Sequence, residues 1–536
     1  MKAALLSAFL LSSAGLAAAS VSGVVELGIG RAKRSAPYEP SVERMRRKHR
    51  IRARDTDGTV SQTLDNAYYL YYANVTVGTP GQSLRLQIDT GSSDVWFQSG
   101  ENEVCQESDD PCADSGIFEP DESSTFDVIS NDFSIQYGDH SYAKGVFASE
   151  TFSIGGVTVS NLTVGVATDA NATDGIMGIG YSSNEAIVSL KGSKAQYKNL
   201  PDLLKDEGLI ATRAYSLWLN DEWSSTGTVL FGGIDRAKYD GDLVVMPIDK
   251  YSGETEPSEF FITLDGIGFT DTDGSETTVD QSLEEAVLLD SGTSFSYLSY
   301  TLQSSLAKIV GAQYNSRLEY YVQTCDVLNV DASIDFYFDD LTIKVPVRNL
   351  FVVATDEDDQ PITFTTGEQV CLFTVLDNSD VGVSILGDSF LRAAYVVYDL
   401  DNNEIGMAQT KYNVTDSDIV AITDSIPARA TGSAVALSST VSADLGGVDG
   451  GTAGTVSASV VSASATGFSI TVSRTSTAAA ETGGATSGST SSSASSAATS
   501  KSSATESQVV LGVSGRRYMG VIVMLSTVVV GGVLLL

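Results

Sequence analysis

The alternation of apolar and polar positions divides the chain into an apolar head, a long strand-rich body and a tail without periodicity. In the body, runs at 71–77, 133–137 and 343–347 combine β-branched and aromatic residues between Gly, Asp and Asn punctuation, which predicts short strands. Helical signals are few. One covers 201–207, with Pro201 in the first turn and Gly208 as a stop. Another runs from a Ser299 cap through Leu302, Leu306 and Ile309 to Gly311. A polar turn at 137–141, followed by an alternating segment over 142–147, predicts a hairpin. The body is therefore expected to be all-β with a few short helices.

The ends are built for other purposes. Lys2 precedes an apolar run from 3 to 16, and Ala17, Ala18 and Ala19 supply small residues for cleavage, so 1–19 is expected to be a secretory signal peptide. From 431 to 507 the composition collapses to Ser, Thr, Ala, Gly and Val, which cannot bury enough apolar surface to fold. It reads as an O-glycosylated stalk, assigned to 425–503. An apolar run from 518 to 536 is long enough to span a bilayer. Its flanking charges, Arg516 and Arg517, stand on the side that the positive-inside tendency disfavours. Small residues at 502–504, a polar spacer and the apolar tail fit a GPI-attachment signal over 504–536. Ser503 is the expected attachment residue and Gly512 the alternative; a plain transmembrane anchor is the competing reading. The chain is thus expected to pass through the secretory pathway and be tethered at the plasma membrane or wall.

Charge sharpens this division. The 536 residues hold 32 Lys and Arg against 68 Asp and Glu, a net charge of −36. Such an acidic balance excludes a nucleic-acid partner, which needs a basic footprint. Residues 1–54, however, hold 11 basic and 3 acidic side chains, and 55–424 hold 16 and 61. Behind a signal peptide, the basic run at 44–54 reads as part of a propeptide over 20–54, cut after Arg34, Arg47 or Arg54. A solvated basic linker is the bland alternative. The opposed charges predict that this segment covers the acidic body near neutral pH and loosens as carboxylates protonate.

Several chemistries are absent from the sequence. The two histidines, His49 and His140, form no H-E-x-x-H, and no G-x-S-x-G, C-x-x-C or phosphate-binding G-x-x-x-x-G-K-[ST] occurs. Nothing calls for a metal or an organic cofactor, and a hydrolase made from this chain must use carboxylates. Four cysteines allow three pairings; the local one, Cys105 with Cys112 and Cys325 with Cys371, is expected in a secreted protein. Asn74, Asn161, Asn171 and Asn413 head glycosylation sequons, Asn74 within a strand-like run.

One pattern occurs twice. Residues 86–93 read Leu-Gln-Ile-Asp-Thr-Gly-Ser-Ser and 287–294 read Val-Leu-Leu-Asp-Ser-Gly-Thr-Ser. Each is followed by an apolar-apolar-Gly element, ending at Gly178 and at Gly387. The spacing is far too long for a solenoid repeat. It predicts two homologous lobes, 55–245 and 246–424, each offering one carboxylate, Asp89 and Asp290. Two such groups about 3 Å apart cannot both ionise, so the pair holds one proton and titrates as a unit. One member can take a proton from water while the other donates to a peptide carbonyl. Gly91 and Gly292 permit tight turns beside the carboxylates. Ser92 and Thr293 can orient the outer oxygens, and Thr90 and Ser291 can brace the two loops. A lone Asp-Thr-Gly is an ordinary turn; two copies in matching contexts are not.

These residues, with Trp96, Asp174 to Gly180 and Ile385 to Leu391, resemble the pepsin-like aspartic proteases over roughly 65–415. The resemblance implies a bilobal double-ψ barrel fold and an aspartic-type endopeptidase acting on proteins or peptides at acidic pH, expected as a monomer. It makes Tyr137 the flap tyrosine, hydrogen-bonded toward Trp96, with Gly138 and Asp139 at the flap tip. His140 stands where that family commonly has Gly. The propeptide, two disulfides, stalk and GPI signal are similar to the fungal yapsin and candidapepsin group, which suggests that Asp139 favours Lys or Arg at P1. The short 105–112 segment lacks the large insertion of some yapsins, so cleavage into two chains there is not expected. Two other classes compete: an inactive pepsin fold used for binding, which the intact pair opposes, and a structural wall glycoprotein, which leaves the repeat unexplained.

Overall fold

Short β-branched and aromatic runs between Gly and Asp turns give a strand-dominated fold. The computed structural model describes residues 25–31, 61–62, 64–67 and 70–427, save 108–110, 223, 225, 317 and 356–360. The expected signal peptide, the basic run at 44–54, the stalk beyond 427 and the GPI signal with Ser503 lie outside the described residues.

In the first half, Leu70–Val77 pairs antiparallel with Gln82–Asp89, which runs parallel to Gly175–Gly178. That strand is antiparallel to Val95–Gln98, which runs parallel to Val157–Ala170. Val157–Ala170 pairs with Tyr142–Ile154, which returns to Leu70–Val77. The six strands close on themselves, so the barrel has no open edge. In the second half, Phe261–Leu264 is antiparallel to Glu285–Leu289, which is parallel to Ser384–Leu386. Ser384–Leu386 is antiparallel to Ser296–Leu298, itself parallel to Val375–Asp377. The order of pairings is the same in both halves. The repeat in the sequence is thus a repeat in topology.

This topology explains the two downstream glycines. Gly178 lies opposite Asp89, and a Cβ there would sit 2.7 Å from the amides of Ser93 and Asp94. A Cβ on Gly387 would sit 2.2 Å from the Thr293 carbonyl. Each glycine lets its strand press against the aspartate loop of its own half.

The first-half sheet continues, through Leu64–Ala67 paired with Leu70–Val77, into strands that join the halves. Thr226–Phe231, Ala214–Trp218, Ala394–Asp399, Glu404–Gln409 and Val244–Pro247 pair antiparallel in that order. Val25–Arg31 lies on the other side of Thr226–Phe231, between it and Leu64–Ala67. Tyr398 packs on Tyr215 and Phe260 at ring separations of 5.0 and 4.7 Å beneath this sheet.

Helices are short. Leu200–Asp206 carries Pro201 in its first turn and a reciprocal cap between Asn199 and Asp202. Tyr300–Ile309 follows Ser299, whose side chain makes no capping bond; burial of Leu302 and Leu306 holds it instead. Ala186–Lys191 and Asp388–Leu391 were not signalled by periodicity, being too short to show one. The strand expected at 343–347 is Leu341–Pro346, with Val347 opening a 3-10 turn. The disulfides are Cys105–Cys112 and Cys325–Cys371.

Candidate active site

The buried strands Gln82–Asp89 and Glu285–Leu289 deliver Asp89 and Asp290 to the junction of the two halves, both without solvent exposure. The turns that follow repeat the same bonding pattern. The Gly91 amide donates to Asp89 Oδ1 at 2.8 Å, and the Gly292 amide donates to Asp290 Oδ1 at 2.8 Å. The Ser92 hydroxyl donates to Asp89 Oδ2, and the Thr293 hydroxyl donates to Asp290 Oδ2.

The loops also grip each other. The Thr90 amide donates to Ser291 Oγ at 3.2 Å, and the Ser291 amide donates to Thr90 Oγ1 at 2.9 Å. Each hydroxyl then donates to the strand opposite, Thr90 to the Leu289 carbonyl and Ser291 to that of Ile88. Gln87 adds a bond from Nε2 to the Gly292 carbonyl at 2.9 Å. The Gly91 amide also reaches Asp290 Oδ1 at 3.1 Å, so one N–H serves both carboxyl groups. Gly91 must lack a side chain, since its Cβ would lie 2.6 Å from Asp290 Oδ1. Burial, and then the Asp89 charge, hold the Asp290 carboxyl well above the usual carboxylate range.

The hairpin expected at the mouth is formed by Asp127–Gln136 and Tyr142–Ile154. Tyr137 lies just beyond the first strand, and the Trp96 indole N–H donates to its hydroxyl at 2.5 Å. Phe133, Ile135, Phe147 and Trp96 pack with it on the underside of the flap. Burial and the Asp89 charge raise the Tyr137 phenol well above its usual range, so it stays protonated. At the tip, Gly138 and Asp139 are half-buried, and Asp139 Oδ1 accepts from the Ser141 amide at 2.8 Å. His140 is exposed at a φ of 66°, a left-handed conformation that favours glycine. The Asn171 side chain ties down the hairpin turn, accepting from the Tyr142 amide and donating to the His140 carbonyl. Asn161 and Asn413 are exposed and Asn74 is half-buried in its strand.

Three features escaped the sequence. Beneath the flap, the buried Asp94 accepts from Tyr197 Oη at 2.6 Å and from the Ala186 amide at 2.7 Å. Burial outweighs both bonds and lifts its carboxyl to about 6. Beside it, burial lifts Glu185 to about 10. Behind the pair, buried Asp388 shares a pocket with Arg392, whose Nε donates to Tyr71 Oη at 3.0 Å. Asp94 and Asp388 both lie within the motifs that carry the resemblance, and Arg392 follows Asp388 by four positions; Tyr197 and Tyr71 come from distant sequence. Thirdly, Tyr297 follows Asp290 by the same seven positions that separate Trp96 from Asp89. That interval was a signal available to the eye.

The chain matches the family described as eukaryotic aspartyl protease over residues 70–410. It is 41% identical over 411 residues to a probable aspartic-type endopeptidase, opsB, of Aspergillus fumigatus, covering 76% of this chain and 81% of that protein. It is 36% identical over 381 residues to aspartic proteinase yapsin-3 of Saccharomyces cerevisiae, covering 69% and 72%. Among solved structures, the aspartic proteinase of Irpex lacteus is similar in fold, with a TM-score of 0.50 at 23% identity over 65% of this chain and 97% of that one.

Proposed function

This chain belongs to the eukaryotic aspartyl protease family, and from that premise we propose that it is an endopeptidase in which Asp89 and Asp290 share a proton and activate water. The observation that carries this reading is the Gly91 amide bonded to an oxygen of each carboxyl group. It supports a geometry in which one carboxyl is charged and the other neutral. Asp290, raised by burial and by Asp89, is suited to the neutral role. Asp89 then takes a proton from the attacking water. Asp290 donates to the carbonyl oxygen of the scissile peptide as it becomes a gem-diol. As the C–N bond breaks, Asp89 passes its proton to the leaving amine and Asp290 recovers a proton from the gem-diol, with no covalent intermediate. Ser92 and Thr293 hold the outer oxygens still, and Tyr137 closes over the bound chain. Hydrolysis of an internal peptide bond at about pH 4, blocked by pepstatin, is the expected result. Cleavage that pepstatin leaves untouched overturns the reading.

The finer proposals rest on sequence. The apolar head, the Ser/Thr-rich tail and the terminal apolar run support secretion and a GPI anchor at the cell surface. The basic head, in which Val25–Arg31 fills a slot in the joining sheet, supports a propeptide. Asp139, half-buried at the flap tip beside Tyr137, supports acceptance of Lys or Arg at P1. Asp139→Ala is expected to lower kcat/KM about tenfold for a P1 Lys peptide and to spare its P1 Leu analogue. An unchanged Lys-to-Leu ratio removes Asp139 from specificity.

A further inference from the structure

Asn171 stands one residue beyond the strand Val157–Ala170, where the pairing of that strand with Tyr142–Ile154 of the flap hairpin ends. The last backbone pairs are Lys144 with Asp169 and Ala143 with Ala170. One more rung forms at Tyr142, and a side chain makes half of it. The Asn171 amide donates to the Tyr142 carbonyl at 3.3 Å. In return Asn171 Oδ1, in place of a backbone carbonyl, accepts from the Tyr142 amide at 2.7 Å. Asn171 Nδ2 then reaches past the rung and donates to the His140 carbonyl at 3.3 Å.

This carboxamide links the end of the strand ladder to the flap tip. Beyond Tyr142 the turn is held by bonds of its own. The Tyr137 amide donates to the Ser141 carbonyl, the His140 amide to the Tyr137 carbonyl, and the Ser141 amide to Asp139 Oδ1. Tyr142 pairs across the hairpin with Gln136, the residue before Tyr137. The rung that Asn171 completes is therefore the one from which Tyr137 is carried. His140 gives the tie a second task. A residue other than glycine pays for its left-handed φ of 66°, and a bond to its carbonyl offsets part of that cost. Asn171 itself is exposed, so its replacement opens no cavity.

We infer that Asn171 is a positioning residue for the flap: its carboxamide holds the turn in the conformation that receives substrate, and it acts on the reaction through Tyr137. This inference rests on the reading of the site as proteolytic. The tie contributes to capture rather than to the chemical step. Tyr137 keeps its bond from Trp96 whether or not Asn171 is present, and a bound chain can draw an untied flap down over itself. The ordering that Asn171 supplies in advance must then come out of binding. The ionisable groups on the segments that meet at Asn171 are Asp139 and His140 of the turn, Tyr142 and Lys144 of the hairpin strand, and Asp169 and Asp174 on either side of it. Of these, Asp169 accepts from Tyr142 Oη at 3.0 Å, and Lys144 lies over the Tyr142 ring.

The test uses the active enzyme and three variants, each compared with wild type at the same pH on one peptide. Asn171→Ala removes both side-chain bonds and is expected to raise KM about tenfold, with kcat within about twofold. Thr173→Ala destroys the glycosylation sequon but leaves the carboxamide, and it is expected to match wild type. Asn171→Asp places a carboxyl group with an ordinary pKa of about 4 at the tie. Protonated, that group accepts and donates as the amide does; ionised, it cannot donate to the His140 carbonyl. Its KM is expected to match wild type at about pH 3 and to approach that of Asn171→Ala at about pH 5.5. A wild-type KM in Asn171→Ala overturns the inference, whether or not Tm falls. A KM raised equally in Thr173→Ala assigns the effect to a glycan and overturns it. Asn171→Asp with the same ratio to wild type at both pH values makes the contact merely structural and overturns it too. A wild type that does not cleave the peptide fails the proteolytic reading instead, and the inference falls with it.

Discussion

Asp290→Asn is expected to lower kcat by about 10²- to 10⁴-fold, with KM and the fold retained. The geometry makes this a clean replacement. The amide oxygen can take the place of Oδ1 and keep the bonds from the Gly292 and Gly91 amides. The amide nitrogen then faces Thr293, whose hydroxyl can turn to accept instead of donate. Burial already favours a neutral group at this position, so a neutral amide adds no charge to desolvate. Only proton exchange is removed. Asp89→Asn is expected to be as damaging, because the remaining carboxyl has no charged partner to receive a proton from water. Steady-state kinetics with near-UV circular dichroism decides the matter. Activity within about tenfold of wild type, in a folded variant, rules out the proposed roles.

Stability is expected to fall steeply as pH rises from about 4 to about 7. Burial lifts Asp94 from 3.8 to about 6, and Glu259 from 4.5 to about 7. Glu259 is reached by Tyr251 Oη, which offsets burial only in part. In each case the native value exceeds the unfolded one. The native state therefore binds more protons inside that window and loses stability as pH rises through it. Each shift corresponds to on the order of 3 kcal/mol, against a total of about 5–15 kcal/mol for a typical domain. Asp290 and Asp388 are raised in the same direction. Thermal melts are expected to show a Tm lower by roughly 10 °C at pH 7 than at pH 4. Asp94→Asn combined with Glu259→Gln is expected to make that slope shallower, the remainder coming from Glu185, Asp290 and Asp388, which are raised in the same direction. A Tm that holds steady across this range, or climbs, contradicts the account.

What the sequence made legible was local. The strand-loop-glycine pattern is contiguous, so both aspartates, their glycines and their hydroxyl neighbours could be named from it. Tyr137 was legible because its hairpin alternates. Partners brought by the chain's return were not. Tyr197 lies 103 residues from Asp94, and Tyr71 lies 321 from Arg392, with nothing in either neighbourhood to announce the pairing. Ser299 illustrates a subtler limit: its residue type suits a cap, yet packing rather than a side-chain bond sets the start of that helix. Val25, Leu27 and Ile29 alternate with polar or small residues as a strand should, but the partner strand, Thr226–Phe231, is remote in sequence.

The mutual grip of Thr90 and Ser291 carries a consequence for biosynthesis. Each half supplies one aspartate, and neither loop is braced until the other is present. A ribosome adding about 5–20 residues per second reaches Asp290 roughly 10–40 s after Asp89. Throughout that interval the emerging first half, even if folded into its closed barrel, has no working centre. The nascent enzyme is therefore harmless to the chaperones that handle it. Hydrolytic power arrives only once nearly the entire body has been made.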